Sequence, residues 1–499
     1  MSEVTVSMKR VSTICLLLIT VLAAKEGIAD TRSMAEKTFQ NGAQMAAEKK
    51  FHRAKEMFEK ALNMDPSYHR PKEGLKVIAA LLGKKIKTDT AVLIFRGLVL
   101  EKSGATREAL AAFNNAVAGN PEFALTYFIR ADVMDESGEY DSAINDFTRA
   151  IEIDPGFIDA YNSRGLSYYN KGEYGPAIDD FFRAIELDVK FTAAYNNRGL
   201  AYYRIRLFDK AIEDFSIVIK INPEDTLAYK NRGIVYFFNG QPGRAIADFN
   251  KAVEIDPEFA DAYYVRGLIY ASNDQHVLAI ADFDMAIEKA PDFAEAYYNR
   301  GNAFLDRGQY FQAVPDYDSA IKILSGDTDP YNLVVSAFQD PVDPMIADVY
   351  YNRGSAYIYK GQYDLAIEDF DRAIELTPWD ADAYNNRGVA YSKKGQYDRA
   401  MADFEMAITI DPESAFPYKN RGTVYLASGD YIRAITDFDR VNKINPNVAM
   451  PYYDKALTYE KLGRNKEAVR AYRRFIRFAP PQYESYVNHA REKIIELSR

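Results

Sequence analysis

Glycine recurs in this chain with a fixed step. Gly165, Gly199, Gly233, Gly267 and Gly301 are each 34 residues apart, and the step resumes at Gly354, Gly388 and Gly422. Gly97 lies on the same lattice, with Ala131 and Ala456 in equivalent slots. A strict period of this length means stacked copies of one supersecondary unit, because one such unit cannot bury its own apolar face. The chain is thereby restricted to a solenoid. The functional question becomes what the stack holds.

Other residues keep the same register. Tyr195, Gly199, Tyr202, Ala211, Phe215 and Pro223 return as Tyr229, Gly233, Tyr236, Ala245, Phe249 and Pro257, and later as Tyr384, Gly388, Tyr391, Ala400, Phe404 and Pro412. Tyr195, Gly199 and Tyr202 share one helical stripe, and Ala211 and Phe215 a second. Small residues against large aromatics let two helices approach closely, and Pro223 ends the second helix. This pattern resembles the tetratricopeptide repeat (TPR), whose spacing is an aromatic, Gly, Tyr, Ala-x3-Phe and Pro. About twelve copies run from near Ala35 to Pro480. The resemblance implies an all-α fold, a right-handed superhelical solenoid of about twelve helix-turn-helix repeats spanning 35–482. It also implies a concave groove lined by the first helices. Two segments break the step, near 69–89 and 328–346. The first carries Leu75, Ile78, Ala79 and Leu82 at helical spacing and reads as an extra helix. The second holds Pro330, Pro341 and Pro344 and reads as a loop. Residues 483–499 read as a capping helix with Tyr486, Ala490, Ile494 and Leu497 along one side.

The N-terminus reads as an export signal over residues 1–29. Lys9 and Arg10 precede an apolar run from Val11 to Ala24, and Gly27 and Ala29 supply small residues at a cleavage point. The run is short for a spanning helix. The mature chain is therefore expected to be exported, periplasmic or extracellular, without a stable membrane span; an N-terminal anchor is the alternative. The only cysteine, Cys15, lies inside this run, so neither a disulfide nor a thiolate site is expected.

Charge and chemistry exclude several classes. A formal net charge of -10 disfavours nucleic acid, which needs a basic face. His52, His69, His276 and His489 do not pair at ligand spacing, and no phosphate loop or nucleophile elbow is present. Neither enzymatic activity, nor a cofactor, nor a bound metal is expected.

Two rows of residues depart from the family pattern. The slot before the glycine, usually Leu in TPR proteins, is Arg: Arg130, Arg164, Arg198, Arg232, Arg266, Arg300, Arg353, Arg387 and Arg421. Burying a guanidinium alone costs several kcal/mol. Sixteen residues on stands Asp in each of these copies, as in Arg198–Asp214, Arg232–Asp248 and Arg387–Asp403. The turn falls midway, so the two can meet across the hairpin in a ladder of structural ion pairs; the alternatives are pairing with the next copy's arginine, as Asp214 with Arg232, and an arginine row that binds an anion. Arg96 and Lys455 lack the acid, facing Ala112 and Ala471 in the corresponding slots.

The second row is Asn, two residues before the glycine: Asn197, Asn231, Asn299, Asn352, Asn386 and Asn420. It resembles the asparagine ladders of peptide-binding TPR proteins, since an amide pairs with an extended backbone whatever its side chains. Tyr264, Tyr298 and Tyr351 stand one residue away from the row and offer flat apolar contact. The face carrying Ala193, Asn196, Asn197, Leu200, Tyr203 and Arg204 is the expected groove surface. The function implied is a protein–protein interaction scaffold that binds extended peptides or partner proteins, in envelope assembly or secretion. The alternative is a structural solenoid that assembles with itself into homo-oligomers.

Overall fold

The computed structural model describes residues 29–66, 68–326 and 345–499. The expected signal, Cys15 and most of the second insert lie outside the described residues. Met345 and Ile346 open a helix, Met345–Tyr359.

Among the described residues every regular element is helical. The chain divides into two compact units, one running to Pro257 and the other from Glu258. The first unit contains six helix hairpins, from Ala29–Ala47 with Phe51–Met64 to Thr226–Phe238 with Pro242–Ile255, plus one further helix, His69–Leu82. The second unit also contains six, from Ala260–Ser272 with His276–Lys289 to Met450–Lys461 with Asn465–Phe478, followed by Glu484–Leu497. Within each unit the hairpins stack, each second helix packing on the next first helix, except that Phe51–Met64 packs on the further helix His69–Leu82 while Ala29–Ala47 packs on Thr88–Lys102. This is the all-α repeat architecture of a TPR solenoid.

The periodic residues explain each hairpin. A Cβ at Gly199 would stand 2.9 Å from the Phe215 ring, and one at Gly165 would stand 2.6 Å from Phe181. The glycine therefore sets how closely the two helices approach, and the aromatic sixteen residues on fills the space. Phe147, Phe181, Phe215, Phe249, Phe283, Phe370, Phe404 and Phe438 are all completely buried. The turns close in the left-handed region, as at Gly172 with φ +80°. Arg206, in the equivalent place, takes φ +62° without glycine's freedom.

The extra helix turns a different face inward from the one its apolar spacing suggests. Arg70, Pro71, Glu73, Gly74, Val77, Ile78 and Ala80 are buried, whereas Leu82 is 67% exposed and Ala79 is exposed. Gly74 lies against the Phe58 ring, with a Cβ there 2.8 Å from Cε2, and Gly42 approaches the other edge of the same ring. One phenylalanine thus seats two helices. At the other end Ala490 is buried, and Val487, Ile494 and Leu497 pack against the last hairpin.

Candidate binding groove

The nine arginines before the glycine slot meet their aspartates fork to fork. In Arg198, Nε donates to Asp214 Oδ2 at 2.9 Å and Nη2 to Oδ1 at 2.7 Å. Arg232–Asp248 and Arg387–Asp403 repeat this with distances of 2.7–2.9 Å. Each guanidinium also lies over tyrosine rings, Arg198 at 5.5 Å from the Tyr195 centroid and 5.9 Å from Tyr202. Burial raises the Asp214 carboxyl above its ordinary value, and Arg198 only partly offsets this. Burial also works against the Arg198 charge, but hydrogen bonding and attraction to Asp214 hold it above its ordinary value. The two partners thus point in different directions. The geometry decides for an ionised pair, since each carboxylate oxygen accepts an N–H, while desolvation keeps its net contribution small. Arg96, which lacks the acid, stands exposed.

The asparagine row connects neighbouring repeats. Asn299 donates to the Tyr264 hydroxyl at 3.1 Å, Asn352 to Tyr298 at 3.0 Å, and Asn386 to Tyr351 at 3.0 Å. Asn197 donates to Asn162 Oδ1 and Asn420 to Asn385 Oδ1, both at 2.9 Å. The acceptor stands three residues before one glycine and the donor two before the next, so successive first helices are tied together. Tyr264 is fully buried, and Tyr298 and Tyr351 are 6% and 4% exposed. Their rings are packed inside the stack and are not presented as a contact surface. Asn231, Asn352, Asn386 and Asn420 are likewise buried; Asn197 and Asn299 are half-buried. The spacing had indicated a common face, but it could not show that one row supplies acceptors to the other.

The groove face of the first unit carries an occupant from its own chain. The buried Arg70, from His69–Leu82, donates to Glu101 Oε1 at 2.9 Å and to Glu73 of its own helix at 3.2 Å. It also lies 3.5 Å from Asp132 and 3.9 Å from Glu136. Lys76 pairs with Asp159 at 3.3 Å and stands 5.3 Å from the Phe157 centroid. In the repeat register, Glu101, Asp132, Glu136 and Asp159 are the equivalents of Tyr203, Leu200, Arg204 and Ala193. The extra helix therefore lies across groove-face positions of three first helices. Periodicity missed these contacts because Arg70 and Glu73 lie in the segment that breaks the period; a paired charge on a buried helix face was the available signal.

Beyond that helix, the same face of the first unit is open. Arg204 is exposed, Leu227 is 50% exposed, and Phe237 and Phe238 are half-buried, their rings edge to face at 5.6 Å. Asn196 Oδ1 finds no hydrogen-bond partner among the described residues.

Sequence models of known repeat families agree with this architecture. Sequence models of the TPR repeat match 131–172 and 354–395. Models of the tetratricopeptide repeat match 158–259 in three consecutive copies, together with 381–414, 283–314, 419–483 and 46–68. No curated protein matches the chain. Among solved structures, MamA is 28% identical with a TM-score of 0.31, covering 33% of this chain and 96% of its own. YrrB, described as a TPR protein with an unusual peptide-binding site, is 26% identical with a TM-score of 0.32, covering 38% and 97%. The Cut9–Hcn1 hetero-tetramer structure gives 16% identity, full coverage of both chains and a TM-score of 0.42. The repeat models together span well over half of the sequence, and the hairpins have the matching geometry: the chain belongs to the tetratricopeptide-repeat family.

Proposed function

We propose that this chain is a non-enzymatic scaffold that holds a partner protein's segment along the groove face of its first helices. The observation that carries this is the docking of His69–Leu82 on that face, through Arg70 to Glu101 and Lys76 to Asp159. A helix bearing spaced cations and apolar residues is thus already a ligand of this surface. The partner surface in the first unit is formed by Asn196, Asn197, Leu200, Arg204, Leu227, Phe237 and Phe238. Leu227, 50% exposed, and the half-buried Phe237 and Phe238 supply apolar and aromatic anchoring area. Asn197 and Asn299, half-buried in the asparagine row, are the members placed to touch a partner; the buried members hold the repeats in register.

The chain's place is the cell envelope or exterior, in assembly or secretion. Lys9, Arg10 and the apolar run after them support export. Among the described residues no helix is long and apolar enough to cross a membrane.

Affinity capture from the native envelope followed by mass spectrometry tests the reading. Leu227→Glu combined with Phe238→Glu is expected to lose the proteins that the natural chain retains, with helicity unchanged. Retention of the same proteins by that variant sinks groove binding. A concentration-dependent series of oligomers in light scattering, abolished by the same pair, replaces it with self-assembly.

A further inference from the structure

The ion-pair ladder changes at its last step. In six earlier repeats, those of Arg130, Arg164, Arg232, Arg300, Arg353 and Arg387, the arginine reaches two second helices. Arg387 meets Asp403 of its own hairpin and, through Nη1, Asp371 sixteen residues back at 2.6 Å. Arg164 and Arg232 reach back in the same way to Thr148 and Ser216. Lys455, only 8% exposed, keeps the backward contact alone, Nζ to Asp439 Oδ1 at 2.5 Å. In the forward direction stands Ala471, whose methyl group accepts nothing.

A cleft of about 410 Å³ opens at this point, lined by Lys455, Tyr459, Arg470, Ala471, Arg473 and Arg474. The one acid on its wall, Glu467, is held by Arg464 at 2.6 Å. Arg470, Arg473 and Arg474 are exposed and make no ion pair among the described residues. Arg474 is steadied over the Tyr452 ring at 5.8 Å. In a chain of net charge -10 this is a concentration of cations around a seat that nine other repeats fill with a carboxylate.

We propose that this cleft binds a carboxylate-rich segment of a partner protein. The partner's Asp or Glu side chains take the place that Asp214 and its equivalents take inside the stack. Arginine forks match carboxylates in bidentate fashion, and the internal copies show that pairing on this scaffold.

The test uses the full chain and fluorescence anisotropy with a short labelled Glu/Ser peptide, its Gln/Ser counterpart, phosphatidylglycerol vesicles and a single-stranded oligonucleotide. The Glu/Ser peptide is expected to bind most tightly, and the Gln/Ser peptide at least about tenfold more weakly. Ala471→Asp supplies the internal acid opposite Lys455 and is expected to weaken Glu/Ser binding by about tenfold or more. Should that variant fold poorly by circular dichroism, the triple change Arg470→Gln, Arg473→Gln and Arg474→Gln, all at exposed positions, is expected to have the same effect. Equal binding of the two peptides, or undiminished binding by the folded variants, overturns the proposal. Tighter binding of vesicles or oligonucleotide than of the Glu/Ser peptide also overturns it and assigns the cations to phosphate.

Discussion

Arg198 and Asp214 face each other as two parallel hydrogen bonds of 2.9 and 2.7 Å, across the turn that joins their helices. Asp214 is 2% exposed, so removing its carboxylate leaves a largely buried guanidinium. Asp214→Ala is expected to cost about 3 kcal/mol in denaturant unfolding, whereas Arg198→Leu with Asp214→Leu costs much less. A double variant as unstable as the single one would show that the pair contributes more than register.

The same hairpin sets a steric limit. A side chain at Gly199 meets the Phe215 ring at 2.9 Å, a contact that Ala131 and Ala456 show one methyl can be fitted into elsewhere. Gly199→Ala is expected to cost less than Gly199→Leu, the latter losing about 3 kcal/mol through overpacking. Thermal melting of the two variants checks the order, and an unchanged Tm for the leucine variant excludes close helix contact.

Asn386 has no exposed surface and gives its amide to the Tyr351 hydroxyl at 3.0 Å. Asn386→Ala is expected to lower stability by about 1–3 kcal/mol, the cost of leaving buried groups unpaired. If unfolding is unaffected and only partner capture is lost, the row serves ligands and does not tie the repeats.

Acidification is expected to tighten the docking of His69–Leu82. Burial holds the Asp132 carboxyl well above its ordinary value; Arg70 opposes this, and the crowding of Glu73, Glu136 and Glu101 adds to it. A carboxyl raised in the folded state contributes stability that is complete below its unfolded pKa and is lost as pH rises through the folded one. Lowering pH from neutral therefore strengthens the contact. His69, lowered by burial, acts in the opposite sense, but its side chain is 56% exposed and its effect is weaker. Hydrogen exchange of this helix, corrected for intrinsic rates, is expected to slow on mild acidification. Asp132→Asn is expected to flatten that dependence; an equally steep dependence in the variant rules Asp132 out as its source.

The hairpins were legible in the sequence because their determinants are local. A glycine and an aromatic sixteen residues apart, separated by a turn, can only meet as two close helices, and the arginine and aspartate at the same separation follow them. Repetition then multiplies one local solution along the chain. Contacts between repeats were less legible. Periodicity places Asn386 and Tyr351 on first helices but does not say that one donates to the other, a pairing made by the stacking offset.

Sequence alone determined the repeat unit, its close glycine–aromatic contact and its internal ion pair, because all three depend on short separations along one hairpin. Tertiary structure decided which polar residues were consumed in building the stack and which face remained open. It turned Tyr264, Tyr298 and Tyr351 inward as hydroxyl partners and laid the aperiodic helix His69–Leu82 across the groove face. The reason is physical. A side chain's exposure depends on what neighbouring repeats and inserted segments bring against it, and no period in the sequence carries that information.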